Sequence, residues 1–176
     1  HLYVIGSMIG SENVEAKKYI ENLTEKIITT KMYSNTGNVA IDSVINYELS
    51  KAEKQDIKTN LNIVVPSGIQ NDVENLVTIF GNLLDNAIEG CCRLTEEKQI
   101  FFRLIAEEAL FLSIRNTSLP VTIQNGRILT SKPNKEAHGY GLGRIKYILD
   151  KFEGEYSFAY KDGWFVYAAE IPLNQQ

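Results

Sequence analysis

The sequence predicts an α+β domain preceded by a pair of helices, and three observations carry that reading. Two stretches, 39–56 and 72–93, repeat apolar residues at three- and four-residue spacing, with a short apolar run between them. Two strand pairs follow, around the turns Glu107-Glu108 and Lys161-Asp162-Gly163. The composition supplies a core for these elements: 44% of the 176 residues are hydrophobic and 23% charged, with only 12 glycines and 4 prolines. That balance excludes disordered, collagen-like and low-complexity chains. A net charge of -4 and a pI near 5.3 argue against a dedicated nucleic-acid binder, whose footprint is a basic excess. No run reaches the roughly 18–20 apolar residues of a membrane span, and the start has no signal-peptide pattern, so a cytosolic character is expected. The two cysteines, Cys91 and Cys92, are adjacent and are expected to be reduced thiols near a helix end.

The elements follow in order. His1 to Ile9 is apolar and ends at Gly10-Ser11, where Ser11 can cap a second helix from Glu12. Ala16, Tyr19, Ile20, Leu23, Ile27 and Ile28 then form the stripe of a helix that packs on a partner. For so short a hairpin, that partner is expected to be another chain. Ser34 to Asn38 is a run of turn formers, so the domain border is placed there, dividing a helical segment 1–35 from a main domain 36–176. Val39, Ile41, Val44, Ile45, Leu49 and Ala52 mark a helix over 39–56, followed by a strand at Leu61–Val65 that Pro66-Ser67-Gly68 ends. A long helix is predicted over 72–93, then strands Ile100–Ala106 and Ala109–Asn116 as a hairpin. Thr117 to Ala137 reads as a long polar loop, after which glycines 139, 141 and 143 lead into a helix ending near Gly154. The last hairpin joins Glu155–Tyr160 to Trp164–Pro172 across an Asp-Gly turn. Trp164, Phe165 and Tyr167 are expected to pack within it and to have no ligand role.

Two segments carry chemistry. In the long helix, Asn82, Asp85, Asn86 and Glu89 stand at i, i+3, i+4 and i+7, an arc of roughly 100° opposite the apolar face. Asn and Asp disfavour helix interiors because their side chains compete with the backbone, so three on one face need a reason. A plain solvent-facing surface is the alternative, though such surfaces usually choose Glu, Lys and Arg. Carboxamide and carboxylate oxygens in this row could hold a hard cation such as Mg²⁺, which completes its octahedron with water and phosphate oxygens. The second segment is His138-Gly139-Tyr140-Gly141-Leu142-Gly143-Arg144, where glycines before a helix let backbone approach an anion at the positive dipole end. Its spacing matches neither G-x-G-x-x-G nor G-x-x-x-x-G-K-[ST], so Rossmann and P-loop readings fail.

N-L-L-D-N-A-I-E at Asn82–Glu89 resembles the asparagine box, and G-Y-G-L at Gly139–Leu142 the second glycine box, of the GHKL (Bergerat) ATP-binding family. That family unites histidine kinases, gyrase-type ATPases and heat-shock chaperones. Ile171-Pro172-Leu173 resembles its closing strand, and the likeness covers about Asn38 to the end. Within it, V-A-I-D-S-V-I-N-Y-E-L-S-K-A at Val39–Ala52 resembles the linker helix of peptide-pheromone receptor kinases of quorum sensing. His1-Leu2 resembles the tail of their phosphoacceptor motif, His-Asp-x-x-Asn-His-Leu.

The resemblance implies a two-layer α/β sandwich with a mixed, mostly antiparallel sheet, preceded by a truncated helical dimerisation segment. It implies ATP and Mg²⁺ as ligands, with Asn86 the metal ligand, Asn82 lining the same phosphate site and Asp85 supporting the row. Asn116-Thr117-Ser118 stands where the wider family has an Asp and glycines, which makes the Asn116 carboxamide the candidate for the adenine amine. Glu89 stands where many sensor kinases carry a basic residue, so Arg93, Lys132, Lys135 and Arg144 become candidates for the phosphate clamp, although solvated surface is the more common place for each such base. His138, Gly139, Gly141 and Leu142 complete the expected site, and the 117–137 loop the flexible ATP lid. The implied protein is the cytoplasmic part of a membrane-anchored sensor, a homodimer through the N-terminal helices that phosphorylates a histidine and then a response regulator receiver domain, with no direct nucleic-acid partner. The accepting histidine is expected upstream of His1, leaving this chain unable to label itself. Two alternatives stay open: a GHKL-like interaction module that binds no nucleotide, and an ATPase. The ATPases use a Glu one turn before the metal-binding Asn, and Asn82 at that position counts against hydrolysis.

Overall fold

A computed structural model describes residues 32–65, 72–124, 127–129 and 140–173. Residues 1–31, which hold nearly all of the expected helical pair, lie outside them. Helix α1 (Val39–Lys54) begins where Asn38, in extended backbone, accepts hydrogen bonds from the amides of Ala40 and Ile41 at 3.1 and 3.2 Å, satisfying two of the free donors of a helix start. The segment before it is tied down by side chains of α1: Asn46 Oδ1 accepts from the amides of Tyr33 and Ser34, and Asp42 from that of Thr36. Ile41, Ile45, Leu49 and Ala52 form the buried face of α1.

Strand β1 (Lys58–Val64) starts three residues earlier than the apolar run suggests. Its pairing is the reason: it lies parallel to β2 (Gln99–Ala106) from Lys58↔Gln99 to Val64↔Ile105, and backbone pairing needs no apolar side chain. Helix α2 (Val73–Cys92) buries Leu76, Ile79, Phe80, Leu83, Leu84, Ala87, Ile88 and Cys91, the face its periodicity predicts. β2 turns at Glu107-Glu108 into the antiparallel β3 (Ala109–Thr117), as expected.

The segment read as an uninterrupted loop is a finding against the sequence reading: Thr117 closes β3, and β4 (Thr122–Gln124) pairs with β5 (Arg127–Leu129) as a small hairpin. Three-residue strands rich in Thr, Gln and Arg leave no periodic signature. Residues 130–139 lie outside the described residues. Helix α3 (Tyr140–Lys151) already includes Gly141 and Gly143, which were expected ahead of it. β6 (Glu155–Lys161) and β7 (Trp164–Pro172) pair across Asp162 and Gly163, whose φ of 50° and 82° are the left-handed pair that an Asp-Gly hairpin turn requires.

The sheet runs β1-β2-β3-β7-β6, antiparallel except for β1 with β2. Alternate residues of its strands, among them Ile100, Phe102, Leu104, Ile114, Tyr167 and Ala169, join the buried faces of α1, α2 and α3 in one core. The result is the expected two-layer sandwich, with a mixed, mostly antiparallel sheet. The Arg115 guanidinium on β3 lies over both Phe101 and Trp164, 4.6 and 4.3 Å from their ring centroids, so Trp164 packs on the sheet as expected.

Candidate functional site

The polar row of α2 stays out of the core, and its members have different partners. Asn82 is half-buried, and its Nδ2 donates to Thr78 O one turn back at 2.7 Å. That bond resolves the competition between an asparagine and the helix backbone locally, leaving Oδ1 directed away from it. Asn86 is exposed, and its side chain makes no hydrogen bond to the described residues. Glu89 pairs with Arg93 at 2.9 Å on the helix surface.

The first turn of α3 comes down on this row. A Cβ placed on Gly141 would stand 3.4 Å from Asn82 Oδ1, 3.4 Å from Asn86 Nδ2 and 3.8 Å from Asn86 Oδ1. The absence of a side chain therefore lets the α3 backbone stand over both asparagines. A Cβ on Gly143 would meet nothing within 4 Å, so its glycine is not required by packing. Leu142 is half-buried against the core, and Arg144 is exposed. His138, Gly139, Lys132 and Lys135 lie outside the described residues.

At the other end of the row, Asn116 is 3% exposed at the end of β3, its Nδ2 donating to Thr117 O at 3.0 Å. It rests against Gly90, one turn beyond Asn86: a Cβ there would come within 2.7 Å of Asn116 Nδ2. Behind it, the buried Cys91 thiol contacts Thr117 O and Gln99 O at 3.4 Å each, and burial pushes its pKa up, so it acts as an inert core thiol. Cys92 is exposed, and both cysteines are free.

Two features had no sequence signal. Gly90 is one, since only the fold shows which side chain it admits. Lys51 is the other: from α1 it spans to Asp85 on the row, Nζ to Oδ1 at 2.6 Å, and also holds Glu48 at 2.8 Å. Burial raises the Glu48 carboxyl despite the opposing pull of Lys51, while the two carboxylates together raise Lys51 to about 12 against its partial burial. A shallow recess of about 500 Å³ at the opposite part of the sheet is lined by Arg103, Phe111, Glu155 and Glu170 among others, and holds none of the candidate residues. Among the described residues no three His, Cys, Asp or Glu side chains are grouped to hold a metal. The donor set present, an exposed carboxamide beside a glycine-admitted backbone, fits a hard cation that arrives with phosphate and keeps its own waters, rather than a closed protein cage.

The α/β sandwich that carries this asparagine row, with the first turn of α3 facing it, has known relatives. The family model described as GHKL domain matches residues 72–172, more than half of the chain. The chain belongs to the GHKL family. It is similar to the sensor protein CitS of Bacillus subtilis (strain 168), 23% identical over 154 residues, covering 82% of this chain and 28% of that protein. The chain thus spans little more than a quarter of that relative's length. Among solved structures, the catalytic domain of histidine kinase ThkA in a nucleotide-free form superposes with a TM-score of 0.60 at 21% identity, covering 78% of this chain and 93% of that one. The Acinetobacter baumannii histidine kinase AdeS gives 0.59 at 12% identity, with 99% and 92% covered. The fold is that of histidine kinase catalytic domains.

Proposed function

We propose that this chain is the ATP-binding catalytic region of a two-component sensor histidine kinase, and the observation that carries the reading is the approach of Gly141 to both Asn82 and Asn86. Two segments 55 or more residues apart meet there, and what they share is a polar, side-chain-free notch at a helix start. Asn86 would offer its carboxamide oxygen to Mg²⁺, and Asn82 Oδ1 would line the same pocket. Asn116, held beside Gly90, would present its carboxamide to the adenine amine. When bound, Mg²⁺ supplies charge neutralisation at the phosphates. The first turn of α3 would add backbone N–H donors, and catalysis would consist of holding the terminal phosphoryl group in line for an attacking imidazole.

The sensor protein CitS and the histidine kinase folds support transfer to a histidine rather than hydrolysis, and Asn82 in place of a water-activating Glu agrees. We place the acceptor histidine in the helical segment upstream of His1, the dimer contact in the N-terminal helices, and a receiver domain downstream in the phosphorelay. In that arrangement this chain binds Mg-ATP without labelling itself. We assign it to the cytoplasmic side of a membrane-anchored sensor of the peptide-pheromone type; no helix among the described residues is long and apolar enough to cross a membrane.

Calorimetric titration with Mg-ATP tests the reading. Asn86→Ala should lower affinity at least about a hundredfold by removing the proposed protein ligand of the cation, while the melting temperature holds or rises, since alanine favours the helix. Equal affinity in Asn86→Ala would remove the metal assignment, and no binding by the unaltered chain would leave the interaction-module reading standing.

A further inference from the structure

The asparagine row carries no positive charge of its own, yet the proposed ligand brings several negative charges, and its usual cationic position is taken by Glu89. Of the basic groups expected to compensate, Arg93 is paired with Glu89 and Arg144 lies exposed on α3. The structure brings a different cation to the row. Viewed down α2, Asp85 lies about 60° to one side of Asn82 and Asn86 about 40° to the other, and i,i+3 neighbours sit about 5–6 Å apart. The Lys51 ammonium, 2.6 Å from Asp85 Oδ1, therefore stands on the flank of Asn82 away from Gly141.

Resting on the ATP-binding reading, we infer that Lys51 is the cationic arm of the phosphate site, reaching from α1 to the polyphosphate along the flank of Asn82 and exchanging Asp85 for phosphate oxygens. Its two partners differ in a way that suits this exchange. Glu48 is buried, its side chain 9% exposed, and anchors the ammonium at 2.8 Å. The Asp85 side chain is 60% exposed, and an exposed ion pair is worth only about 0–1 kcal/mol, so little opposes its replacement. The Asp85 carboxylate stands in for the anionic oxygens of the ligand. Lys51 is fully protonated at neutral pH, its pKa being raised to about 12 by both carboxylates. A flexible four-carbon stem delivers a point charge to a phosphate without the fixed geometry an arginine fork needs.

Titration of Mg-ATP into the full chain and the variants Lys51→Met, Asp85→Asn and the double variant, with melting curves for each, tests the inference. Lys51→Met should weaken Mg-ATP binding by about ten- to a hundredfold, the size of a lost charged hydrogen bond. The double variant should stay as weak. Restoration of affinity by Asp85→Asn in the Lys51→Met background would mean that the lysine only neutralises Asp85, and would overturn the inference, as would wild-type affinity in Lys51→Met. Should Lys51→Met fail to fold, the Lys51 ε-methylene resonance of the unaltered chain decides: a shift on adding Mg-ATP supports the contact, and no shift refutes it. No affinity for Mg-ATP in the unaltered chain overturns both this inference and the function beneath it, whereas loss of binding in Asn86→Ala but not in Lys51→Met overturns this inference alone.

Discussion

Helices α2 and α3 face each other across Gly141, and they are held in the fold by different means. α2 runs for 20 residues and buries eight side chains along its length, with Phe80 packed edge-on against Phe102 of β2 at 6.4 Å between centroids. α3 has 12 residues, is anchored in the core by Ile145, Ile148 and Leu149, and starts with two glycines in its first turn. Its end is set by Gly154, whose amide donates to Leu149 O at 2.8 Å and whose Cβ, if present, would stand 2.9 Å from Glu170 O. The contrast is one of division of labour. α2 supplies the row from an element whose place is settled by burial, and α3 supplies an approach that depends on the absence of atoms.

The largest effect should come from the anchored side. Phe80→Ala is expected to cost about 3–5 kcal/mol, the range for emptying a fully buried aromatic site, against about 2–3 kcal/mol for Ile148→Ala on α3. Urea denaturation of both variants measures the difference, and a larger loss at Ile148 would reverse the comparison. Next comes the approach itself. Gly141→Val fills the space over Asn82 and Asn86, so Mg-ATP affinity should fall about tenfold or more while the fold persists. Gly143→Ala, with nothing within 4 Å, should leave affinity unchanged and add about 0.5–1 kcal/mol of stability from helix propensity. Parallel calorimetry and melting curves separate them; equal losses of affinity would show that both glycines serve the ligand.

The smallest effect concerns the buried charge beside the row. Burial raises the Glu48 carboxyl above its ordinary value of 4.5, so the folded chain holds that proton more tightly than the unfolded chain does. Its contribution to stability accordingly falls as pH rises from 4.5 through the raised folded value, and stays unfavourable at neutral pH. Glu48→Gln should therefore gain about 0.5–1 kcal/mol at pH 7, with the gain vanishing below the ordinary carboxylate range. Denaturation at pH 4 and pH 7 checks it, and a loss at pH 7 would show that the ion pair with Lys51 outweighs the cost of burial.

Local chemistry alone determined much of this protein. The periodicities of Val39–Lys54 and Val73–Cys92, the alternation in Ala109–Thr117 and the Asp162-Gly163 turn each read out a single element, because helix and strand periods are properties of neighbouring residues. Asn82 and Asn86 stood out for the same reason, as residue types at odds with ordinary helix interiors, and Gly141 as one of the glycines expected just ahead of a helix. The tertiary structure alone decided what met what. The parallel register of β1 on β2, the place of Gly141 above two asparagines, the Gly90 notch that admits Asn116, and the Lys51 bond to Asp85 all join residues far apart in the chain. Such contacts follow from how elements pack once their apolar faces are buried, and no residue carries a local signature of a partner 26 or 34 positions away, as Asn116 Nδ2 and Asp85 illustrate for Gly90 and Lys51.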